Sequence, residues 1–326
     1  MDAADRIKQL SDTKQLLLRK LLENKNIGGE MLLRLEGSNL KILREGSPIL
    51  FVFPATDGSV SYMRSYLPYV PEGWGVYGCQ TPGLDGEQAP LRTIEEIVAH
   101  NLRMIRRVQP NGPYYLAGNC MGGLPAYEAA RQLQDSGEET ALILHLMPNF
   151  NRPWKKLPGE SSLQMRGFMD YTFIIERILK VQLNLPFDRL ATLDEVAQQA
   201  AVVEHIKLGG WLAGVDLLAF QERMKTYQAS LEAMLTYQPR GGLRGRMVVL
   251  AVGEQERNEV ELPLDSPYAA PLRVLPPEQT DVIHVDADGG ALFDGSEPHI
   301  SKIGDQLLRI LEAVPNSGVR PALLTG

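Results

Sequence analysis

The chain has only two cysteines in 326 residues, and one stands where a nucleophile would. Cys120 lies in Gly118-Asn119-Cys120-Met121-Gly122, a G-x-C-x-G pattern between the apolar run Tyr114–Ala117 and an amphipathic stretch. Glycines at a strand-to-helix junction let the backbone turn sharply and lift one side chain above a sheet, which is how a Ser or Cys nucleophile is presented. The unpaired N–H groups at the start of the next helix favour a thiolate, and the backbone N–H of Met121 becomes a candidate oxyanion donor. A second donor is expected from Phe53-Pro54-Ala55-Thr56-Asp57-Gly58, where the N–H of Ala55 is the candidate. The alternative for Cys120 is a buried packing thiol, the usual fate of a lone cysteine.

Such a turn needs a strand behind it and a helix ahead, repeated along the chain. "SPILFVFPA" and "WGVYGCQ" read as strands, with a helical stretch over about 59–69 between them. "TIEEIVAHNLRMIRRVQ" reads as a helix with Thr93 as N-cap and Glu96 completing a capping box. The strand "PYYLAG", a helix over 121–136 and the strand "TALILHLM" follow. This alternation predicts an α/β fold with a mostly parallel, doubly wound sheet. From 150 to 236 the strand signal stops and helices are expected near 162–180, 193–208 and 217–236, a pattern that fits a helical lid. Strands return at "GRMVVLAVGE" and "TDVIHVDADGG", and a last helix runs from about Glu297-Pro298 to Ala313. The expected organisation is therefore a helical linker at 1–28, core at 29–149, lid at 150–236, core again at 237–314, and a loose tail at 315–326. "MLLRLEG" and "LKILREG" are expected to form a β-pair at the start of the core.

A net charge of −7 argues against nucleic acid or an anionic membrane as partner. No apolar run reaches the roughly 18 residues of a membrane span, and two cysteines cannot build a disulfide framework, so a cytoplasmic setting is expected. No Cys/His metal spacing, phosphate loop or dinucleotide fingerprint is present, so no bound cofactor or metal is expected.

Three stretches carry a family resemblance: "ILFVFPATDGSVSYM", "VYGCQTPGLDGEQAP" and "VQPNGPYYLAGNCMGGLPAYEAARQLQDSG". They resemble type I thioesterases, the α/β-hydrolase domains that release products from nonribosomal peptide and polyketide synthases. The likeness spans roughly residues 38–312. It implies an α/β-hydrolase fold, a helical lid, and an acyl or peptidyl chain delivered as a phosphopantetheine thioester by a carrier protein. Dienelactone hydrolases and polyhydroxyalkanoate synthases also use a cysteine elbow, but "VYGCQTPGLDGE" points away from them. The N-terminal "LSDTKQLLLRKLLEN" resembles the linker joining such domains to synthase neighbours.

The resemblance also exposes departures. Phe53 stands for the usual His of the oxyanion segment, and Cys120 for the usual Ser. The family's acid position falls on Met147, and its catalytic His position on Gly289, or Gly290 if two residues are inserted. Substitute bases or acids are His145, His284, Asp288 and Glu254, with Asp286 and Glu256 nearby; His100, His205 and His299 read as packing or surface residues. A serine stripped of its base would be nearly inert, whereas a cysteine is a few per cent thiolate at neutral pH even unassisted. The expectation is thus acyl transfer through Cys120, favouring transfer or cyclisation over hydrolysis, because attack by water needs a general base most. The alternative is a degenerate or deliberately inactivated domain that binds carrier-tethered chains without turnover.

Overall fold

The computed structural model describes residues 40–84, 88–147, 162–209, 217–241, 243–253, 267–275 and 277–314. The expected linker at 1–28, the run "MLLRLEG", the tail at 315–326 and Glu254 lie outside these residues. Among the described residues seven strands form one sheet: β1 (Leu40–Arg44), β2 (Ile49–Phe53), β3 (Gly75–Cys79), β4 (Tyr114–Asn119), β5 (Thr140–Leu146), β6 (Met247–Val252) and β7 (Thr280–Val285). Their spatial order is β1-β3-β2-β4-β5-β6-β7. Only β1 runs antiparallel, pairing with β3 through Leu40↔Cys79, so "LKILREG" finds its partner across the sheet. The others are parallel, as crossover helices require.

Side chains alternate between two buried layers. On β2, Phe51 and Phe53 face one layer while Leu50 and Val52 face the other. The first layer holds helices α2 (Ile94–Val108) and α3 (Gly123–Asp135) together with the lid. The second is closed by the short α1 (Met63–Tyr66) and α8 (Ala291–Asp294) and by α9 (His299–Ala313). Thr93 caps α2 as expected, its Oγ1 accepting from the Glu96 N–H, but the Glu96 side chain takes the Thr93 hydroxyl at 2.8 Å in place of the backbone N–H of a full capping box.

Between β5 and β6 the described residues hold helices and no strand: α4 (Leu163–Leu179), α5 (Phe187–Leu190), α6 (Glu195–Leu208) and α7 (Leu217–Thr236). Met165, Phe168, Tyr171 and Ile175 on α4, and Phe220, Met224, Tyr227 and Leu231 on α7, recur at helical spacing and join the same apolar layer as α2 and α3. Phe168 and Phe220 stack between the two helices at 6.1 Å.

Two buried groups fix the helix that carries Cys120 at its head. Glu128, in the middle of α3, is 1% exposed. Arg131 grips it with two hydrogen bonds of 2.8 and 2.7 Å, and Gln132 Nε2 and Tyr237 OH donate to it at 2.9 and 3.0 Å. His145, fully buried on β5, lies under the first residues of α3: a Cβ on Gly123 would strike its ring. Its Nε2–H donates 2.6 Å to the carbonyl of Cys120, while its Nδ1 is enclosed without a hydrogen-bond partner. Burial drives its pKa down to about 4, opposed only in part by that hydrogen bond.

Removing Glu128 leaves Arg131 with Asp135 alone, so Glu128→Ala is expected to cost about 3 kcal/mol in urea denaturation, and Glu128→Gln distinctly less. His145 is protonated in the unfolded chain before the folded one. Its contribution to stability is complete above pH 6.5 and lost as pH falls toward 4, by roughly 3 kcal/mol in all. Urea midpoints measured from pH 7.5 to 4.5 are expected to show wild type losing its stability advantage over His145→Gln as the medium acidifies.

Candidate active site

β4 ends at Asn119, and Cys120 takes a left-handed conformation with φ +54° before the chain tightens into a single 3-10 turn and enters α3. For a residue with a Cβ that conformation costs roughly 1–2 kcal/mol, and it is held by backbone packing that admits no side chains. A Cβ on Gly118 would run into the Gly122 carbonyl, and one on Gly122 would lie 2.6 Å from the carbonyl oxygens of Phe53 and Pro54. The glycines of the pattern are therefore needed for close approach, and the half-buried Cys120 is the side chain they leave at the apex. Tyr62 clamps the same place: its buried hydroxyl donates to the Phe53 carbonyl at 2.7 Å and accepts from the Asn119 N–H at 3.2 Å.

The contact of Gly122 with Pro54 brings together the segments carrying both oxyanion candidates. Ala55 follows Pro54 and Met121 precedes Gly122. The loop is shaped internally, by Gly58 N–H to the Ala55 carbonyl at 3.0 Å and Ser59 N–H to Asp57 Oδ1 at 3.1 Å. Phe53, in the place of the family's His, is fully buried in the core.

Met147 stands immediately after β5 with φ +47°, its N–H bonded to the Leu250 carbonyl at 2.8 Å. Its sulfur accepts from the Tyr66 hydroxyl at 2.9 Å. A Cβ placed on Gly289 would lie 2.9 Å from the Met147 methyl. The two positions the resemblance assigns to acid and base therefore do meet in space, but a thioether and a glycine meet there. Gly290, the other candidate position, is covered as well: a Cβ there would lie 2.5 Å from the guanidinium carbon of Arg177. From α4, Arg177 Nη2 reaches Asp288 at 2.7 Å and Asp294 at 3.1 Å.

The substitute bases and acids are placed elsewhere or engaged. His145, expected near the rim, instead lies beneath the turn with Nε2 committed to the Cys120 carbonyl and Nδ1 enclosed, so it holds the backbone rather than a substrate proton. His284 is exposed on the edge strand β7. Asp288 is the ion-pair partner of Arg177, and its N–H donates to His299 Nδ1 at 3.1 Å, which gives His299 a structural role. His205 bonds the Leu183 carbonyl at 2.7 Å within the lid. Sequence reasoning missed Tyr62, Tyr66 and Arg177, whose partners lie far away along the chain and leave no local pattern. Among the described residues no cluster of three or more His, Cys, Asp or Glu fit to hold a metal is present, and no helix is long and apolar enough to cross a membrane.

Residues 48–206 match the family described as thioesterase domain. The non-reducing polyketide synthase PKS16 of Cladonia grayi is 38% identical over 101 residues, covering 31% of this chain and 5% of that protein. A four-domain nonribosomal peptide synthetase solved with AMP and glycine superposes with TM-score 0.69 at 20% identity, over 89% of this chain and 21% of that one. The NocB thioesterase domain, solved as a covalent complex with a fluorophosphonate nocardicin G analogue, superposes with TM-score 0.54 at 20% identity, over 84% of this chain and all of that one. The chain thus spans a small fraction of the synthases it matches, and about the whole of an isolated domain. The chain has an α/β-hydrolase fold with a helical lid, and its residues 48–206 are similar to the thioesterase domain family.

Proposed function

We propose that this domain accepts an acyl or peptidyl chain on Cys120 and passes it to a nucleophile other than water, as a step of natural-product assembly. The donor is a phosphopantetheine thioester on a carrier protein, the partner suggested by the synthases the chain resembles. Attack of the Cys120 thiolate on the thioester carbonyl forms one C–S bond and breaks another, and the pantetheine leaves as a thiol after taking up a proton. The exchange is close to isoenergetic, and the new thioester keeps its activation. An amine or stabilised carbanion of the chain or a second substrate then forms its bond to the carbonyl carbon and expels Cys120. During both additions the oxyanion would be held by the N–H groups of Ala55 and Met121.

The observation that carries this reading is the pairing of Met147 with Gly289. The glycines of the turn are closely packed, while the pair that the resemblance assigns to acid and base is a thioether beside a glycine. A general base contributes about 10²- to 10⁴-fold, and deacylation by water depends on one. The degenerate, binding-only reading draws on the same vacancy and differs in what happens at the thiol.

Intact-protein mass spectrometry with an acyl-pantetheine decides between them. An adduct on wild type that is absent from Cys120→Ala supports transfer; no adduct on wild type, or one persisting in Cys120→Ala, overturns it. Restoring titratable groups tests the role of the filled positions. Met147→Asp with Gly289→His is expected to raise the rate at which water clears the acyl-enzyme by about 10²-fold or more, followed as free acid by chromatography. Unchanged clearance in a folded double variant would show that these positions do not govern the choice of acceptor.

A further inference from the structure

A group of buried polar side chains lies on the lid side of the oxyanion loop, outside the machinery described above. On α7, Phe220, Arg223 and Tyr227 share one helical face. Tyr171 of α4 packs across that face, with ring centroids 6.3 Å from Phe220 and 5.8 Å from Tyr227. Arg223 is thus bracketed by the two rings and sits close enough to Tyr171 to act on its hydroxyl. One turn further along, Thr226 reaches the loop itself: a Cβ on Gly58 would lie 3.0 Å from its methyl and 3.2 Å from Cβ of Thr81. Asp57, beside Gly58, feels both its burial, which raises its pKa, and the Arg223 charge, which opposes the rise.

Three of these groups are almost wholly buried yet have hydrogen-bonding capacity unused among the described residues. Arg223 is 5% exposed with Nε unpartnered and Thr81 is fully buried with Oγ1 unpartnered, while Tyr171, 5% exposed, has Arg223 facing its hydroxyl oxygen and keeps its O–H hydrogen to donate. An orphaned buried donor costs about 1–3 kcal/mol, and native proteins rarely leave several together unless something else fills the gap. All three can donate, and the guanidinium can only donate. The complement is an acceptor oxygen. Asp57 close by disfavours a carboxylate and favours a neutral acceptor, of which a chain carbonyl is the one an acyl substrate brings.

We propose that Arg223 and Tyr171, with Thr81 at the foot of the loop, form a subsite for a carbonyl oxygen of the acyl chain close to its thioester end. The preferred chain is therefore keto- or amide-bearing rather than plain alkyl. The inference rests on the acyl-transfer reading for the identity of the ligand. A site built to hydrogen-bond a substrate group discriminates against an analogue lacking it, because its own buried groups are then left unpaired.

The test separates the subsite from the nucleophile by measuring binding without the thiol. N-acetylcysteamine thioesters of hexanoic, 3-oxohexanoic and 5-oxohexanoic acid are titrated calorimetrically into Cys120→Ala protein. At least one oxo probe is expected to bind about tenfold more tightly than hexanoyl. Adding Arg223→Met, or the gentler Tyr171→Phe, should erase most of that margin and leave hexanoyl binding unmoved. Equal binding of the three probes overturns the subsite, as does a parallel loss of all three in Tyr171→Phe, which marks a packing or water-filled network. An oxo preference without acylation of wild type keeps the subsite and removes the nucleophile; acylation with equal binding does the reverse.

Discussion

Everything at this site depends on one backbone-to-backbone approach. The peptide at Gly122 lies against the carbonyls of Phe53 and Pro54, so the start of the Cys120 helix and the loop after β2 share a surface with no room for a methyl group. The contact places the two oxyanion candidates in neighbouring segments and obliges the chain at Cys120 to turn with positive φ. Strain of this kind persists only where its surroundings over-determine it. Tyr62 from one layer and His145 from the sheet are those surroundings, each hydrogen-bonded to backbone at the turn. The buried histidine serves as a donor to a carbonyl, and its burial, not that hydrogen bond, keeps it neutral.

At the positions the resemblance assigns to acid and base, Met147 is braced by Tyr66, and Arg177 from the lid covers Gly290 with its two aspartates. These contacts are specific, and they engage four separate elements. A position that had merely lost its function would be expected to loosen; here the replacement has partners of its own.

Much of this was legible in the sequence because it is locally encoded. The Gly118-x-Cys120-x-Gly122 turn, the Thr93 cap, the alternation of strands with helices and the strand-free described stretch of the lid all depend on residues a few places apart. That Met147 and Gly289 would lie together was legible too, from their register with neighbouring motifs. The function of His145 was not. Its position two residues before Met147 suggested the rim, but the parallel register of β4 with β5 sets it beside Gly118, under the turn. Nor could the ties of Tyr62 to Asn119 or Arg177 to Asp288 be read, because they join segments 57 and more residues apart, and their energetics depend on burial that only the fold creates.

The lid leaves the sheet after β5 and returns to it at β6, and these two strands are immediate neighbours joined by the register Leu146↔Leu250. Both of its anchor points therefore sit side by side on a rigid ladder. An insertion hung in this way can change in length or helix order without altering any strand pairing, since both anchors stay on the same ladder. The sheet that presents the turn and the helices above it can therefore vary separately in length and order.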